Sequence, residues 1–466
     1  MFQKNQLVEI TISDVGSDGE GIGKLDGFTL FIKDSLPGDE ILAKIVKLKK
    51  NYGYARVEKV IKPSPFRVEK KCDIAGKCGG CQFQHLAYEK QLEIKENKIK
   101  NNLIHIGGID SERLESIFEP IIGAENIYRY RNKAQYPIGK DVFGVTIAGF
   151  YANRTHSIIK CEDCILGITE NKEILDIIIE FMNEFRIRPY DEVKHTGLIR
   201  HVLIRKGFAT GEIMVCLVIN GNEIPEAETL SERLMKIPGM TSISYSINLE
   251  KTNVIMGDNY HIVSGESRIR DILKRPDGSS VEFLISPLSF YQVNPVQTEK
   301  LYATALDFAG LTGKENVWDL YCGIGTISLF MAKSAARVFG VEIIPQAIED
   351  AKENAKQNGI ENATFFVGAA EEVLPSYYSI NSDEMCSPDV IVVDPPRKGC
   401  DESCLETIVK MAPEKVVYIS CDSATLARDI KYLEESGYEV KRVKGCDLFA
   451  LTKHVEVVTL LCRQKQ

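Results

Sequence analysis

Val317-Trp318-Asp319-Leu320-Tyr321-Cys322-Gly323-Ile324-Gly325-Thr326 is the stretch that decides the fold. An apolar run of strand length ends in an acid and passes through two glycines, which let a backbone come close to a ligand where a strand hands over to a helix. Glu342 closes the next apolar run, about 20 residues further on, where an acid accepts from ribose hydroxyls. Asp319-x-x-x-Gly323-x-Gly325 followed by Glu342 therefore asks for a ligand with an adenosine-like ribose. A nicotinamide dinucleotide is one candidate, although its fingerprint wants a third glycine or alanine where Ser328 stands.

Outward from this stretch, beginning near residue 285, the chain repeats a strand-then-helix rhythm. Strands are predicted over 317–320, 337–341, 365–367, 390–393 and 415–419, with a helix over 346–358 that ends on Gly359. This is the pattern of a doubly wound sheet, whose ligands bind beyond the carboxyl ends of its strands. Three further strand ends carry chemistry. Val390-Ile391-Val392-Val393 runs into Asp394-Pro395-Pro396-Arg397, and Val416-Val417-Tyr418-Ile419 runs into Ser420-Cys421-Asp422-Ser423. Asp422 or Ser423 is a good N-cap, so Cys421 lies beside a helix N-terminus, a place that favours a thiolate. A free cysteine there also serves as a small buried hydrophobe. Late in the chain, Glu456 interrupts the apolar strand Val455 to Leu461.

A length of 466 residues implies two or three domains, and 44% hydrophobic with 26% charged residues is ordinary for a globular protein. No charged-then-apolar leader stands at Met1-Phe2-Gln3-Lys4-Asn5, and no apolar run approaches the roughly 20 residues of a membrane span. A cytoplasmic protein with no membrane association is expected. Thirteen cysteines, an odd number, then point to metal binding and catalysis rather than a disulfide framework. The net charge of -9 discourages nucleic-acid binding by the chain as a whole. From Lys44 to Lys71, however, ten basic residues face only Glu58 and Glu69, a local excess of eight that reads as an electrostatic footprint or a solvated face.

Residues 1–62 alternate apolar and polar positions in short runs between glycine-rich turns, the pattern of a small OB-like β-barrel. Pro63-Ser64-Pro65 reads as a linker. Next comes Cys72-x5-Cys78-Gly79-Gly80-Cys81-Gln82-Phe83-Gln84-His85, with Cys161-x2-Cys164 further on. Zinc on Cys78, Cys81, Cys161 and Cys164 is one reading. An iron–sulfur cluster on Cys72, Cys78, Cys81 and one distant thiolate is the other. A helix is predicted over 86–106, and strands at 198–205, 213–219 and 243–247 suggest a central α+β domain with an antiparallel sheet. Tyr128-Arg129-Tyr130-Arg131-Asn132-Lys133 offers charge and stacking to RNA, or a solvated edge.

The four strand-end motifs, in this order, resemble the RNA uracil-C5 (5-methyluridine) methyltransferase family over nearly the whole chain. The turns Gly19-Glu20-Gly21-Ile22-Gly23 and Leu36-Pro37-Gly38-Asp39 resemble the TRAM module, an RNA-binding barrel. The resemblance implies S-adenosylmethionine held by Gln292, Asp319, Tyr321, Gly323, Glu342 and Asp394, with Phe290 stacking on or beside the target base. It assigns the nucleophile to Cys421 and the proton-removing base to Glu456. The cysteine triplet is similar to that of members carrying a four-iron cluster, with Cys164 rather than Cys161 as fourth ligand and zinc as the alternative. The implied partner is RNA, large-subunit (23S) ribosomal RNA ahead of transfer RNA, with no obligatory protein partner. The expected architecture is multidomain: a TRAM-like barrel over 1–62, an α+β domain with the cysteine loop over 63–285, and a Rossmann-like α/β methyltransferase over 286–466. Two other classes make different demands. A non-catalytic RNA-binding assembly factor should have lost Cys421 or Glu456, and a nicotinamide oxidoreductase with an iron–sulfur centre should bind a hydride carrier.

Overall fold

The computed structural model describes residues 2–153, 155–161, 163–380 and 388–464. Leu7–Val15 (β1), Gly21–Leu25 (β2), Phe28–Lys33 (β3), Glu40–Leu48 (β4) and Tyr52–Lys62 (β5) close into a barrel in the order β1-β2-β3-β5-β4. Alternate residues such as Val8, Ile10, Ile32, Ile41 and Ile45 fill its interior. Gly23 is required where β2 crosses β1, since a Cβ there would lie 2.8 Å from the Thr11 carbonyl oxygen. Lys47, Lys49, Lys50 and Lys59 stay exposed on the outside. The barrel is fastened to the rest by Leu36 packing on Phe83 and Leu86, by Arg67 paired with buried Asp39, and by Lys453 paired with Asp18.

Tyr88–His105 (α1), Ser111–Ile117 (α2) and Phe118–Ile122 (β6) follow. Gln91, Lys95, Ile99 and Leu103 form the buried stripe of α1 at a spacing of one turn. Lys133–Lys140 (β7), Thr146–Tyr151 (β8), Ile158–Lys160 (β9), Asn171–Glu184 (α3), Ile199–Lys206 (β10), Ile213–Ile219 (β11), Ala227–Leu234 (α4), Met240–Ile247 (β12) and Tyr260–Gly265 (β13) build a seven-stranded sheet, β13-β12-β11-β10-β7-β8-β9, with α3 and α4 packed on it. It is mixed rather than antiparallel throughout. The helix α4 carries the chain back between β11 and β12, and that crossover makes those two strands parallel.

Ile269–Lys274 (β14) and Ser280–Ile285 (β15) form a hairpin. Then come Pro295–Ala309 (α5), Asn316–Asp319 (β16), Thr326–Ala332 (α6), Arg337–Glu342 (β17), Pro345–Gln357 (α7), Ala363–Val367 (β18), Ala370–Ile380 (α8), Val390–Val393 (β19), Glu402–Met411 (α9), Lys415–Ser420 (β20), Ser423–Glu435 (α10), Tyr438–Cys446 (β21) and Glu456–Arg463 (β22). The last sheet runs β18-β17-β16-β19-β20-β22-β21-β6, with apolar cores on both faces. Its five predicted strands are all present and parallel to one another.

A boundary at 285 does not follow this packing. The strand β6 pairs with β21 at the sheet edge, Ile99, Leu103 and Leu114 of α1 and α2 enter the core on one face, and Leu273, Val281 and Phe283 of the hairpin enter the other. Chain excursions of this kind leave no mark in local periodicity. Among the described residues no helix is long and apolar enough to cross a membrane.

If the exposed barrel lysines bind phosphate, replacing Lys47, Lys49, Lys50 and Lys59 together by Gln will weaken RNA binding. It will also lower the slope of log affinity against log salt by about 0.7 for each phosphate no longer neutralised. Filter binding at several salt concentrations measures this, and an unchanged slope excludes the barrel face as a phosphate-binding surface.

Candidate active site

The connections reverse direction between β16 and β19, and the crevice outside the carboxyl ends at such a switch point is where open α/β sheets bind ligands. Asp319 ends β16, Glu342 ends β17, Asp394 follows β19 and Cys421 follows β20. Because β22 runs antiparallel to β20, its first residue returns to the same edge. Ser420 pairs with Val457, so the next step of the register sets Cys421 against Glu456. Residues separated by up to 137 positions thereby meet at one sheet edge, as the strand-end motifs predict.

Local hydrogen bonds hold the cysteine turn. Asp422 caps α10 by accepting from the backbone N–H groups of Ala424 (2.9 Å) and Thr425 (3.3 Å). Thr425 Oγ1 donates to the Arg397 carbonyl (3.2 Å), and Arg428 donates to the carbonyls of Lys398 and Cys400 (3.0 Å each). The loop that carries Asp394 and Arg397 is thus tied to the helix that follows Cys421.

The helix N-terminus does not make Cys421 a resting thiolate. Burial pushes its pKa up to about 11, and Glu456 and Asp394 add to the rise, with only Arg397 opposing it. Burial outweighs the helix end because it penalises the charged form of the thiol directly. Burial also raises Asp394 to about 7, with help from Asp319, and raises Asp319 to about 6. Burial and Asp394 together hold Glu456 well above the usual carboxylate range. Asp394 and Glu456 therefore hold their protons more tightly than ordinary carboxyls, as catalytic acids and bases tend to.

The cleft fits the expected methyl donor. At Gly323, in the left-handed region with φ +53°, a Cβ would meet nothing within 4 Å, so the turn opens onto free space. Ser328 Oγ donates to Asp319 (2.6 Å) and fixes that carboxylate at the rim. One oxygen of Glu342 accepts from the Ile344 N–H (3.1 Å), which leaves the other for a ligand. Gln292 is buried, its backbone carbonyl held by Asn132 Nδ2 (3.0 Å), while Phe290, two residues earlier, is 70% exposed. Tyr321 is the exception among the expected contacts: its phenol sits against Cys400 and Cys404, on the α9 side.

Three neighbours escape a reading of the sequence. Arg397 is the cation that acts on both Cys421 and Glu456, and Tyr302 is a buried phenol facing Asp394, Asp319 and Glu456 and bonded to Thr326 (3.1 Å). The third, Ser328, stands in the sequence only as a mismatch to a dinucleotide fingerprint. An aromatic at helical spacing, like Tyr302, carries no signal that separates a site wall from ordinary core.

Cys72, Cys78, Cys81, Cys161 and Cys164 line one cavity of about 500 Å³, closed by Gln84, Tyr136 and Tyr151. Five thiols from two distant segments are a donor set suited to a thiophilic metal. Among the described residues, no group of three or more His, Cys, Asp or Glu is arranged as a metal site. The cavity wall packs on the active-site side of the molecule, where Cys81 and Cys164 lie against Tyr130, Leu166, Ala450 and Leu451.

The sequence profile of the tRNA (uracil-5-)-methyltransferase family matches residues 248–464, and that of the TRAM domain matches residues 2–57. An uncharacterized RNA methyltransferase of Halalkalibacterium halodurans is 49% identical over 98% of this chain and 97% of its own length. The chain belongs to the RNA uracil-C5 methyltransferase family. An uncharacterized RNA methyltransferase of Clostridium tetani is 45% identical over 98% of this chain and 97% of its own. Among solved structures, the Pyrococcus abyssi tRNA (uracil-54, C5)-methyltransferase in complex with S-adenosyl-L-homocysteine is similar, with 29% identity, 97% of this chain and 99% of that chain covered, and a TM-score of 0.77. This protein is accordingly an S-adenosylmethionine-dependent RNA uracil-C5 methyltransferase with an N-terminal TRAM barrel.

The raised carboxyls make a prediction for the ligand-free protein. Asp394 binds its proton more tightly folded (about 7) than unfolded (about 3.9), so its contribution is full below pH 4 and is lost as pH rises through 7. Asp394→Asn will therefore unfold about 2–4 °C higher than the unsubstituted protein at pH 8, and the two will converge near pH 4. Thermal melts across that range check it; a variant less stable at pH 8 contradicts it.

Proposed function

We propose that this methyltransferase acts on a uridine of 23S ribosomal RNA, with Cys421 as nucleophile and Glu456 as base. The observation that supports the mechanism is the register of β20 and β22, whose last pair is Ser420 and Val457, together with the electrostatic influence of Glu456 and Asp394 on Cys421. When bound, S-adenosylmethionine supplies an activated methyl group and a sulfonium charge. Gln292, Asp319, Tyr321, Gly323, Glu342 and Asp394 are the residues proposed to hold it, Tyr321 by its ring rather than its hydroxyl.

Uracil C5 is too weak a nucleophile to be methylated directly. Addition of the Cys421 sulfur to C6 converts C4–C5–C6 into an enolate, and C5 becomes nucleophilic. The thiol must lose its proton first, and a positive charge entering the cleft lowers the proton affinity of Cys421, Asp394 and Glu456 alike. Arg397 supports the same ionised forms from the protein side. Once C5 carried the methyl group, the donor sulfonium having left as a neutral thioether, ionised Glu456 would remove the C5 proton, and its electron pair would expel the Cys421 sulfur from C6. The ring is approached from its face, so the uridine must be unpaired or flipped out, and exposed Phe290 is placed to stack on or beside it.

The barrel together with the cysteine-lined cavity supports ribosomal RNA; the transfer-RNA enzyme among the structural relatives favours transfer RNA as the second reading. Within the same proposal, Cys72, Cys78, Cys81 and Cys164 hold a [4Fe–4S] cluster that pins the loop-rich segment, and 1–62, 63–285 and 286–466 are functional divisions across which α1, α2, β6 and the β14–β15 hairpin pack on the last sheet.

Three experiments test these assignments. Cys421→Ala will bind RNA yet form no covalent adduct, whereas Glu456→Gln will accumulate a methylated protein–RNA adduct, a slow band on a denaturing gel that requires both Cys421 and S-adenosylmethionine. A Glu456→Gln enzyme turning over at the normal rate would remove Glu456 from the mechanism. The RNA itself is identified by mass spectrometry of ribosomal and transfer RNA from a deletion strain. For the cluster, anaerobically purified protein will be brown with about four irons, lost on Cys72, Cys78, Cys81 or Cys164→Ser and retained on Cys161→Ser. Stoichiometric zinc without visible absorption would rule the cluster out.

A further inference from the structure

A second cavity, of about 1030 Å³, opens on the central sheet away from the strand ends that carry Cys421 and Glu456. A β-bulge builds it. From Ile199 to His201 the strand β10 advances two residues while β11 advances one, leaving Arg200 as the extra residue. A bulge re-aims side chains, and here the adjacent Arg200 and His201 both reach the same cavity instead of alternating. Both are more than nine-tenths buried, and Arg200 Nε and His201 Nδ1 have no hydrogen-bond partner among the described residues. The rest of Arg200 is fixed, its Nη1 donating to the carbonyls of Asn248 (2.6 Å) and Glu250 (2.9 Å) and its guanidinium lying 4.4 Å from the Tyr190 ring centre.

Aromatic rings line another wall. Tyr151 and His156 lie 5.3 Å apart at 34°, with His201 6.4 Å from Tyr151. The acids at the mouth are already engaged: Asp141 accepts from the N–H groups of Phe143 and Val145, Asp191 from those of Val193 and Lys194, and Glu192 pairs with His156. Lys140 and Arg188, also at the mouth, have no ion-pair partner among the described residues. Two rim loops expose apolar tips, with Val142 93%, Phe143 88% and Val193 86% exposed. Stacking rings, unpaired donors and uncommitted cations are what an unpaired nucleotide needs, since every base has a π-face and carries a phosphate. An apolar rim over a purely apolar wall would instead have favoured a protein.

We propose that this cavity binds an unpaired nucleotide of the RNA substrate other than the uridine methylated at Cys421. Its base lies against Tyr151 and His156, its polar edge meets Arg200 and His201, and its phosphate faces Arg188 and Lys140. The proposal rests on the RNA-methyltransferase reading but not on which RNA is the target.

The test uses the full chain and deproteinised, unmodified ribosomal and transfer RNA from cells lacking the gene. His156 and Arg188 are exposed, so His156→Ala/Arg188→Ala will keep its fold and its affinity for S-adenosylmethionine. Its Kd for the RNA fraction that the unsubstituted protein binds best will rise about tenfold, and His156→Ala/Arg188→Lys will recover part of that loss. Ultraviolet crosslinking will join a peptide containing Tyr151 or Tyr190 to a nucleotide that is not the methylated uridine. An RNA Kd within twofold of the starting value, with no crosslink to either tyrosine, would overturn the proposal and leave the rim as a protein-docking face. Because the readout is binding, it stands apart from any failure of the Cys421 and Glu456 assignments.

Discussion

The pair that the assembly depends on is Lys95 and Asp447, an ammonium and a carboxylate 2.7 Å apart and both essentially without solvent exposure. Burial lowers the pKa of Lys95, with help from the Lys98 charge, and Asp447 opposes that fall. Such a pair gains little over two apolar side chains of the same volume, but losing either partner strands the other charge at a cost of about 3–5 kcal/mol. What the pair secures is position. Asp447 also accepts from Tyr88 (3.0 Å) and the Phe449 N–H (3.1 Å), Lys95 donates to the Phe449 carbonyl (3.1 Å), and Gln91 accepts from the Leu451 N–H (3.0 Å). One helix therefore grips the segment between β21 and β22 that delivers Glu456. The residues just before α1, Phe83 and Leu86, pack on the barrel, so the same stretch of chain joins the RNA-binding module to the catalytic edge.

The cysteine loop packs against the same segment. Leu451 and Ala450 pack with Tyr130 and Leu166, and Cys81 and Cys164 lie against this cluster. The loop and α1 hold the 447–454 segment from two sides. Anything that orders the cysteine segment, a bound cluster included, stiffens the approach to Glu456 without supplying chemistry to it.

The catalytic half was legible in the sequence because each strand end announces itself: an apolar run stops at Asp319, Glu342, Asp394 or Cys421, and a doubly wound sheet brings such ends to one edge. Glu456 was legible for a related reason, as a carboxylate where the strand pattern demands an apolar residue. Illegible features were those set by long-range packing. Lys95 and Gln91 look like solvated positions of an amphipathic helix, β6 looks like part of the central domain, and the bulge at Arg200 has no glycine or proline to mark it. The raised thiol pKa at Cys421 was illegible for the same reason, since the helix end is local but the burial comes from elements distant in the chain.

Three acids crowded around one open cleft, Asp319, Asp394 and Glu456, work against the stability of the empty protein. A site that only had to be stable would place amides or apolar groups there. The arrangement becomes reasonable for a cleft that receives a cationic ligand, because a positive charge there relieves the acids. Glycine at 323 keeps space for that ligand, Ser328 orients the first acid, and Arg397 limits how far Cys421 and Glu456 drift from ionisation while the cleft is empty. A positive charge in the cleft lowers the proton affinity of the Cys421 thiol as well, so in the proposed mechanism the sulfur becomes reactive together with binding of the methyl donor.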